Sequence, residues 1–191
     1  MSESIASFFD RLSPGWDEHS HVNPDQVLSL LGRVGIKKSD RVLDLGCGTG
    51  VLAPFLLSLT DGDIVGLDVS SGMIEQAKRK YQGRVKFIHG DFYSYEDEPY
   101  DVILCFDAYP HFIDPIGYAK KAASLLKDGG RVAILHDCGR IKLGHFHEGM
   151  DAALSRELLP VEEEIVPFLP YFKKVEAAES DEFYCLILQK K

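Results

Sequence analysis

The segment Val42-Leu43-Asp44-Leu45-Gly46-Cys47-Gly48-Thr49-Gly50 constrains this chain more than any other. Its apolar start reads as a buried strand, its glycines as a turn, and the residues from 50 to 59 as a helix. Three glycines at alternate positions let the backbone approach a ligand with no side chain between them. Asp44, at the strand's end, adds a carboxylate. This combination suits a nucleoside that carries positive charge and does not suit a bare pyrophosphate. The spacing agrees. A dinucleotide fingerprint needs a third glycine, for close helix-on-strand packing, where this chain has Val51.

Around this segment strands and helices alternate. Strands are expected at 41–46, 63–68, 84–89, 100–106 and 130–136, with helices at 50–59, 71–82 and 115–127. Runs such as Val102-Ile103-Leu104-Cys105-Phe106 and Val132-Ala133-Ile134-Leu135 are apolar throughout. That is the pattern of parallel strands covered on both faces. Upstream, Ile5, Phe8, Phe9 and Leu12 recur at helical spacing over 4–16, ended by Pro14-Gly15. A second helix at 24–34 has Asn23 as N-cap, Pro24 at its first position and Gly35 as C-cap. Downstream, a helix is expected at 147–159, then strands at 168–176 and 182–189. Their link is too short for a crossover, so they pair antiparallel. The fold class is α/β: a Rossmann-like, doubly wound, seven-stranded sheet, mostly parallel with a C-terminal antiparallel hairpin. Residues 1–191 read as one domain, with a helical segment at 1–36 and a core at 37–191.

Doubly wound sheets bind ligands at the carboxyl ends of their strands. Strand two ends in Asp68-Val69, where a carboxylate can accept both hydroxyls of a ribose, and Met73 opens the next helix. Strand three ends in Asp91-Phe92 and strand four in Phe106-Asp107. Singly, each acid also fits a turn or a helix cap, and Met73 fits plain core. Their order along about 65 residues carries the information.

That order resembles the class I S-adenosylmethionine (SAM)-dependent methyltransferases. The resemblance makes Asp44, Gly46, Cys47, Gly48 and Gly50 the first motif, and Asp68 with Val69 the ribose end. It sets Met73 against the adenine, Asp91 on the adenine amino group and the Phe92 amide on a ring nitrogen. Carbonyls near Phe106 would meet the methionyl ammonium. The opening Phe8-Phe9-Asp10-Arg11-Leu12-Ser13-Pro14-Gly15-Trp16-Asp17 is similar to the F-F-D-x-L-A-x-x-W/Y-D of small-molecule enzymes in the ubiquinone/menaquinone methyltransferase-like group. There the leading segment is a lid, which implies that Trp16 comes near the methionyl end. A lid of this kind closes a site to water.

Methyl transfer asks a protein mainly for proximity, alignment and sometimes a base. The segment Asp107-Ala108-Tyr109-Pro110-His111-Phe112 lacks the N/D-P-P-Y/F of amino methyltransferases acting on nucleobases, so that acceptor class loses support. His111 is the preferred catalytic residue, as a base or an acceptor ligand, since imidazole titrates near working pH. Asp107 and His136 are the further catalytic candidates, with Asp137 beside them. Four of the seven histidines, His111, His136, His145 and His147, fall on the acceptor side and invite a divalent transition metal such as Zn²⁺, Fe²⁺ or Ni²⁺. The two rings of His145-Phe146-His147 share a side only if the segment is extended, and diverge if it is helical. The other reading of this cluster is a polar pocket with a base and no metal.

A formal charge of −9, with Lys37-Lys38, Lys120-Lys121 and Lys173-Lys174 as isolated pairs, argues against non-specific nucleic-acid binding. Cys47, Cys105, Cys138 and Cys185 form no C-x-x-C pair, which fits reduced thiols in a cytoplasmic protein. Neither a signal peptide nor a membrane span is expected. The expected protein is a SAM-dependent methyltransferase acting on a small-molecule acceptor at O, N, S or activated C, of unassigned oligomeric state. Two alternatives stay open: a nicotinamide-dependent oxidoreductase, and a non-catalytic ligand- or metal-binding protein on the same fold.

Overall fold

The computed structural model describes residues 3–146 and 151–191. Five parallel strands come first: β1 (Val42–Leu45), β2 (Ile64–Asp68), β3 (Lys86–His89), β4 (Tyr100–Phe106) and β5 (Leu126–His136). The chain closes with β6 (Phe172–Glu179) and β7 (Tyr184–Lys190), which pair antiparallel with each other, and β7 adds antiparallel to β5. The order across the seven-stranded sheet is β3-β2-β1-β4-β5-β7-β6. The expected fold class therefore holds, hairpin included.

The all-apolar strand runs are explained by what covers them. On one face lie α3 (Pro24–Val34), α4 (Ala53–Leu59) and α5 (Ser71–Tyr81), which bury Val27, Leu31, Leu56 and Ile74 against Val42, Val102 and Leu104. On the other, α6 (Pro115–Leu125) buries Tyr118, Ala119 and Ala122 together with Phe168 and Phe172 against Leu43, Ile103 and Ile134. α3 has the expected ends: the Asn23 side chain accepts from the Asp25 and Gln26 amides, and Gly35 closes the helix in the left-handed conformation. The N-terminal helix breaks at Ser13–Gly15 into α1 (Ile5–Leu12) and a single turn, α2 (Trp16–His19). α1 packs on α5.

One element differs from the expectation. The helix read at 147–159 is not found over 151–159; residues 147–150 lie outside the described residues. Asp151 turns the chain through its carbonyl, which accepts from the Leu154 amide, and its side chain caps Ala153. Pro160 then favours an extended Leu159, and the stretch crosses to the Pro110 carbonyl through the Arg156 amide. The helices in this region are α7 (Arg140–Phe146) and α8 (Val161–Glu164), on either side of the expected one. Among the described residues no helix is long and apolar enough to cross a membrane.

Candidate active site

The glycine turn is pinned from below. The Gly46 and Cys47 amides both donate to the Leu67 carbonyl at the end of β2, at 2.8 and 3.2 Å. Gly46 has φ +69°, and a Cβ there would lie 2.6 Å from that of Ala108, so the loop after β4 passes where a side chain would sit. Asp68 is held at the rim of the turn: its carboxylate accepts from the Gly48 amide at 2.9 Å and from the Ser70 amide at 2.8 Å. Each oxygen is thereby oriented and keeps capacity for another donor. Burial raises the Asp68 carboxyl above its ordinary range, against these two bonds. Asp44, beneath the turn and 3% exposed, is pushed up to about 7 by burial and then by the Asp68 charge.

Above the turn opens a cavity of about 480 Å³. Of the residues assigned to the cofactor from sequence, Gly46, Gly48, Asp68, Val69, Met73, Asp91, Phe92 and Trp16 line it. Asp44, Cys47, Gly50 and Phe106 do not; they lie under or behind the turn. Cys47 is buried against Gly66, and Gly50, at φ +86°, faces Tyr81 and Phe87. Further lining comes from Ile5, Phe9, His19 and Ser20, together with Tyr93, Phe112 and Leu143, of which His19, Ser20, Tyr93 and Leu143 were not singled out in the sequence. The α1 amphipathic stripe was the available signal for Ile5 and Phe9.

The N-terminal wall is fastened by carboxylates. Asp10 accepts from the Ser70 hydroxyl at 2.7 Å and the Gly72 amide at 2.9 Å, where α5 begins. These bonds, the Gly72 amide first, hold its carboxyl below the usual range. A helix N-terminus favours such a charge. Asp17 accepts from Thr49 in the glycine turn and from Lys80 on α5. Burial opposes ionisation of Asp17, but these partners prevail and its carboxyl is also lowered. Both acids stand in the motif that suggested a lid.

The carboxyl ends of β4 and β5 meet on the other side. Asp107 has φ +51°, a left-handed conformation that aspartate tolerates, and its Oδ1 accepts from the Asp137 amide at 3.1 Å. His136 is fully buried beneath, with Nδ1 3.3 Å from the same Oδ1. Neither ring nitrogen makes a well-aligned hydrogen bond among the described residues. Asp107 and Asp137 both line the cavity. Burial, and then the Asp107 charge, push the Asp137 carboxyl up to about 6. His111 also lines the cavity, with Nδ1 2.9 Å from the Leu154 carbonyl and its ring edge-on to Phe9 at 4.9 Å. A carbonyl can only accept, so a hydrogen bond there has Nδ1–H as its donor.

That carbonyl is set by a buried ion pair that sequence reasoning missed. Glu164, 1% exposed, takes Arg156 through both oxygens at 2.7 and 3.0 Å, and accepts from the Tyr109 hydroxyl at 3.0 Å. The pair ties 151–160 to the loop that carries His111. Its partners are eight and 55 residues apart, and no local pattern marks them.

The four histidines do not form a metal site among the described residues, where no group of three His, Cys, Asp or Glu side chains is arranged to hold an ion. His145 is exposed on α7. His136 is buried under Asp107, and His111 lines the cavity. His147 lies outside the described residues.

A glycine turn after the first strand, acids at the ends of the next two, and a parallel sheet closed by an antiparallel hairpin define the class I methyltransferase fold. Residues 42–130 match the family model described as "Methyltransferase domain". Over 164 residues, 83% of this chain and 57% of the relative, the chain is 29% identical to malonyl-[acyl-carrier protein] O-methyltransferase of Acetivibrio thermocellus. It is 28% identical to ubiquinone biosynthesis O-methyltransferase of Acinetobacter baumannii over 68% of this chain and 60% of that one. The chain thus spans little more than half the length of these relatives. In fold it is similar to the N-methyltransferase NodS of Bradyrhizobium japonicum, solved in complex with S-adenosyl-l-homocysteine, with a TM-score of 0.72 at 12% identity, covering 98% of this chain and 99% of that one. In sequence the chain resembles methyltransferases, the ubiquinone and menaquinone ones among them, and in fold an N-methyltransferase solved with S-adenosyl-l-homocysteine.

Proposed function

We propose that this protein transfers the methyl group of SAM to a small-molecule acceptor. The observation that carries the reading is the Asp68 carboxylate, fixed by the Gly48 and Ser70 amides at the edge of the cavity. It is half-buried and oriented, as suits an acceptor for two ribose hydroxyls. Glycines that leave the loop surface bare, and Met73, Asp91 and Phe92 further along the same wall, fit a nucleoside laid from β1 toward β3. Asp44 and the ends of β4 and β5 supply negative potential where a sulfonium and an ammonium would lie. The residues present therefore fit SAM, which supplies a methyl carbon already activated by its positive sulfur.

The chain's own part is to align and to exclude water. The segment ahead of α3 acts as the lid, with Phe9 and Trp16 as its inner face and Asp10 and Asp17 as its fastenings, while α3 itself belongs to the layer packed on the sheet. His111, which lines the cavity, is the base or acceptor ligand. No metal is invoked. The testing measurement is a calorimetric titration with S-adenosylhomocysteine, on wild type and Asp68→Ala. Micromolar binding is expected for wild type, and a loss of about 2–4 kcal/mol for the variant, from the charge-assisted bonds removed. An unchanged dissociation constant in the variant, or no binding by folded wild type, rejects the reading.

A further inference from the structure

The loop that carries His111 is gripped by one residue from a distant part of the chain. Arg156 reaches three of its members. Its amide donates to the Pro110 carbonyl at 3.0 Å, and its Nε donates to the Phe112 carbonyl at 3.3 Å. Its guanidinium carbon stands 4.7 Å from the centre of the Tyr109 ring. Two residues before Arg156, the Leu154 carbonyl meets His111 Nδ1 at 2.9 Å. The stretch from 154 to 156 therefore holds both the backbone on either side of the imidazole and a partner of the ring itself. Glu164 fixes that stretch in turn. Its oxygens accept from Arg156 Nη2 at 2.7 Å and Nη1 at 3.0 Å, from the Tyr109 hydroxyl at 3.0 Å and from the Leu159 amide at 3.1 Å. Two parallel bonds between planar groups leave the guanidinium a single orientation. Leu159 is tied to the sheet, since its carbonyl accepts from the Tyr184 hydroxyl of β7 at 3.1 Å.

Such a pair is a poor way to gain stability. The Arg156 and Glu164 side chains are 16% and 1% exposed, and the cost of taking both charges out of water offsets most of what their attraction returns. Apolar side chains of similar volume would pack an ordinary loop as well. What they would not supply is direction, which here comes from hydrogen bonds aimed at named atoms of the 109–112 loop. Neither Arg156 nor Glu164 lines the cavity, whereas His111 does, so neither is placed to touch a ligand there. We propose that Arg156 and Glu164 are positioning residues for His111. Their buried pair fixes the loop that carries the imidazole together with the carbonyl its Nδ1 meets, and so holds the ring in one orientation at the cavity wall. The proposal rests on the reading of His111 as base or acceptor ligand, and deepens it. A ring free to turn would be aimed at an acceptor for only part of the time, and alignment is most of what methyl transfer asks of a protein.

The experiment is nuclear magnetic resonance on the full chain, isotopically labelled at the histidine nitrogens and saturated with S-adenosylhomocysteine. The His111 signal is assigned by its loss in His111→Gln. In wild type the Nδ1–H proton should give a resolved resonance, protected from water by the Leu154 carbonyl. Arg156→Met combined with Glu164→Leu removes both charges and keeps the volume. S-adenosylhomocysteine should still saturate this double variant, which shows it to be folded, while the His111 proton exchanges roughly tenfold faster or more, as the protecting hydrogen bond opens. The signal of His89, on β3 at the far edge of the sheet, should not move. A His111 proton that keeps its wild-type exchange rate, or a change shared equally by His89, would make the pair ordinary packing and overturn the proposal. If the double variant does not bind S-adenosylhomocysteine, Tyr109→Phe decides, since it removes one donor from Glu164 and leaves the ion pair in place. Faster exchange at His111 then supports the proposal and an unchanged rate overturns it. Failure of folded wild type to bind S-adenosylhomocysteine instead overturns the methyltransferase reading, and this one with it.

Discussion

Thr49, inside the glycine turn, donates its hydroxyl at 2.5 Å to Asp17 of the N-terminal segment. The loop that contacts the proposed cofactor and the segment that covers it are joined by a single hydrogen bond, with Lys80 on α5 sharing the same carboxylate. Asp17→Ala should therefore loosen the cover without unfolding the core. Partly exposed contacts of this kind are worth about 0.5–1 kcal/mol each. The expected result is roughly a three- to tenfold weaker affinity for S-adenosylhomocysteine and faster limited proteolysis before residue 24. Unchanged proteolysis in the variant would show that the segment is held by its apolar face alone.

His111 stands in the cavity, while the acids fixed at the nucleoside end are far along the wall. Once an acceptor is known, His111→Ala should lower kcat by about 100-fold or more, the usual worth of a positioned base. S-adenosylhomocysteine affinity should stay at the wild-type value. Loss of that affinity would mean that His111 supports the Phe9 wall rather than the reaction.

The Asp44 carboxyl titrates in the folded protein near 7 instead of its ordinary 3.8. Because the folded value is raised, the folded state binds the extra proton. The stability this group contributes is whole below about pH 4 and is lost as pH rises through 7. Thermal denaturation of the ligand-free protein from pH 5 to 8 should fall more steeply for wild type than for Asp44→Asn. Parallel curves would remove Asp44 as the source. A cationic ligand near it favours the ionised form, so binding at pH 6 should release a proton, readable as a dependence of the apparent binding enthalpy on buffer ionisation.

Removing Arg156 leaves Glu164 charged and buried. Arg156→Ala should cost about 3–5 kcal/mol in denaturant unfolding. The double variant with Glu164→Leu should recover a large part of it, since an apolar replacement relieves the orphaned charge. A single-variant loss below about 1 kcal/mol would show that solvent reaches the pair.

The parts of the fold that could be read from sequence were those written in runs. β4 and β5 contain the apolar runs Val102–Phe106 and Val132–Leu135, β1 and β2 are short and mostly apolar, and α3 carries its own start and stop signals. Where tertiary packing chose among local options, the reading slipped. Phe168, expected to begin a strand, sits in a 3-10 turn packed beside Tyr109, Tyr118 and Phe172, and β6 starts four residues later. Residues 151–159 gave up helix for long-range bonds to Pro110 and Glu164. At the site, the motif positions on the cavity wall were legible because each follows a strand. The histidine cluster was not, since sequence order says which end of the sheet a residue reaches but not whether its ring faces the cavity, the core or solvent.

Asp10 and Asp17 both spend their charge on surfaces that the proposed cofactor also uses: the start of α5 beside Asp68, and the glycine turn itself. Ordering those surfaces is one event, whichever partner does it first. By the reciprocity of linked equilibria, a nucleoside that stiffens them draws the N-terminal segment down, and a closed segment holds the nucleoside by the same free energy. The affinities of cover and proposed cofactor are therefore bound together, so two aspartates outside the cavity lining contribute to how tightly it is held.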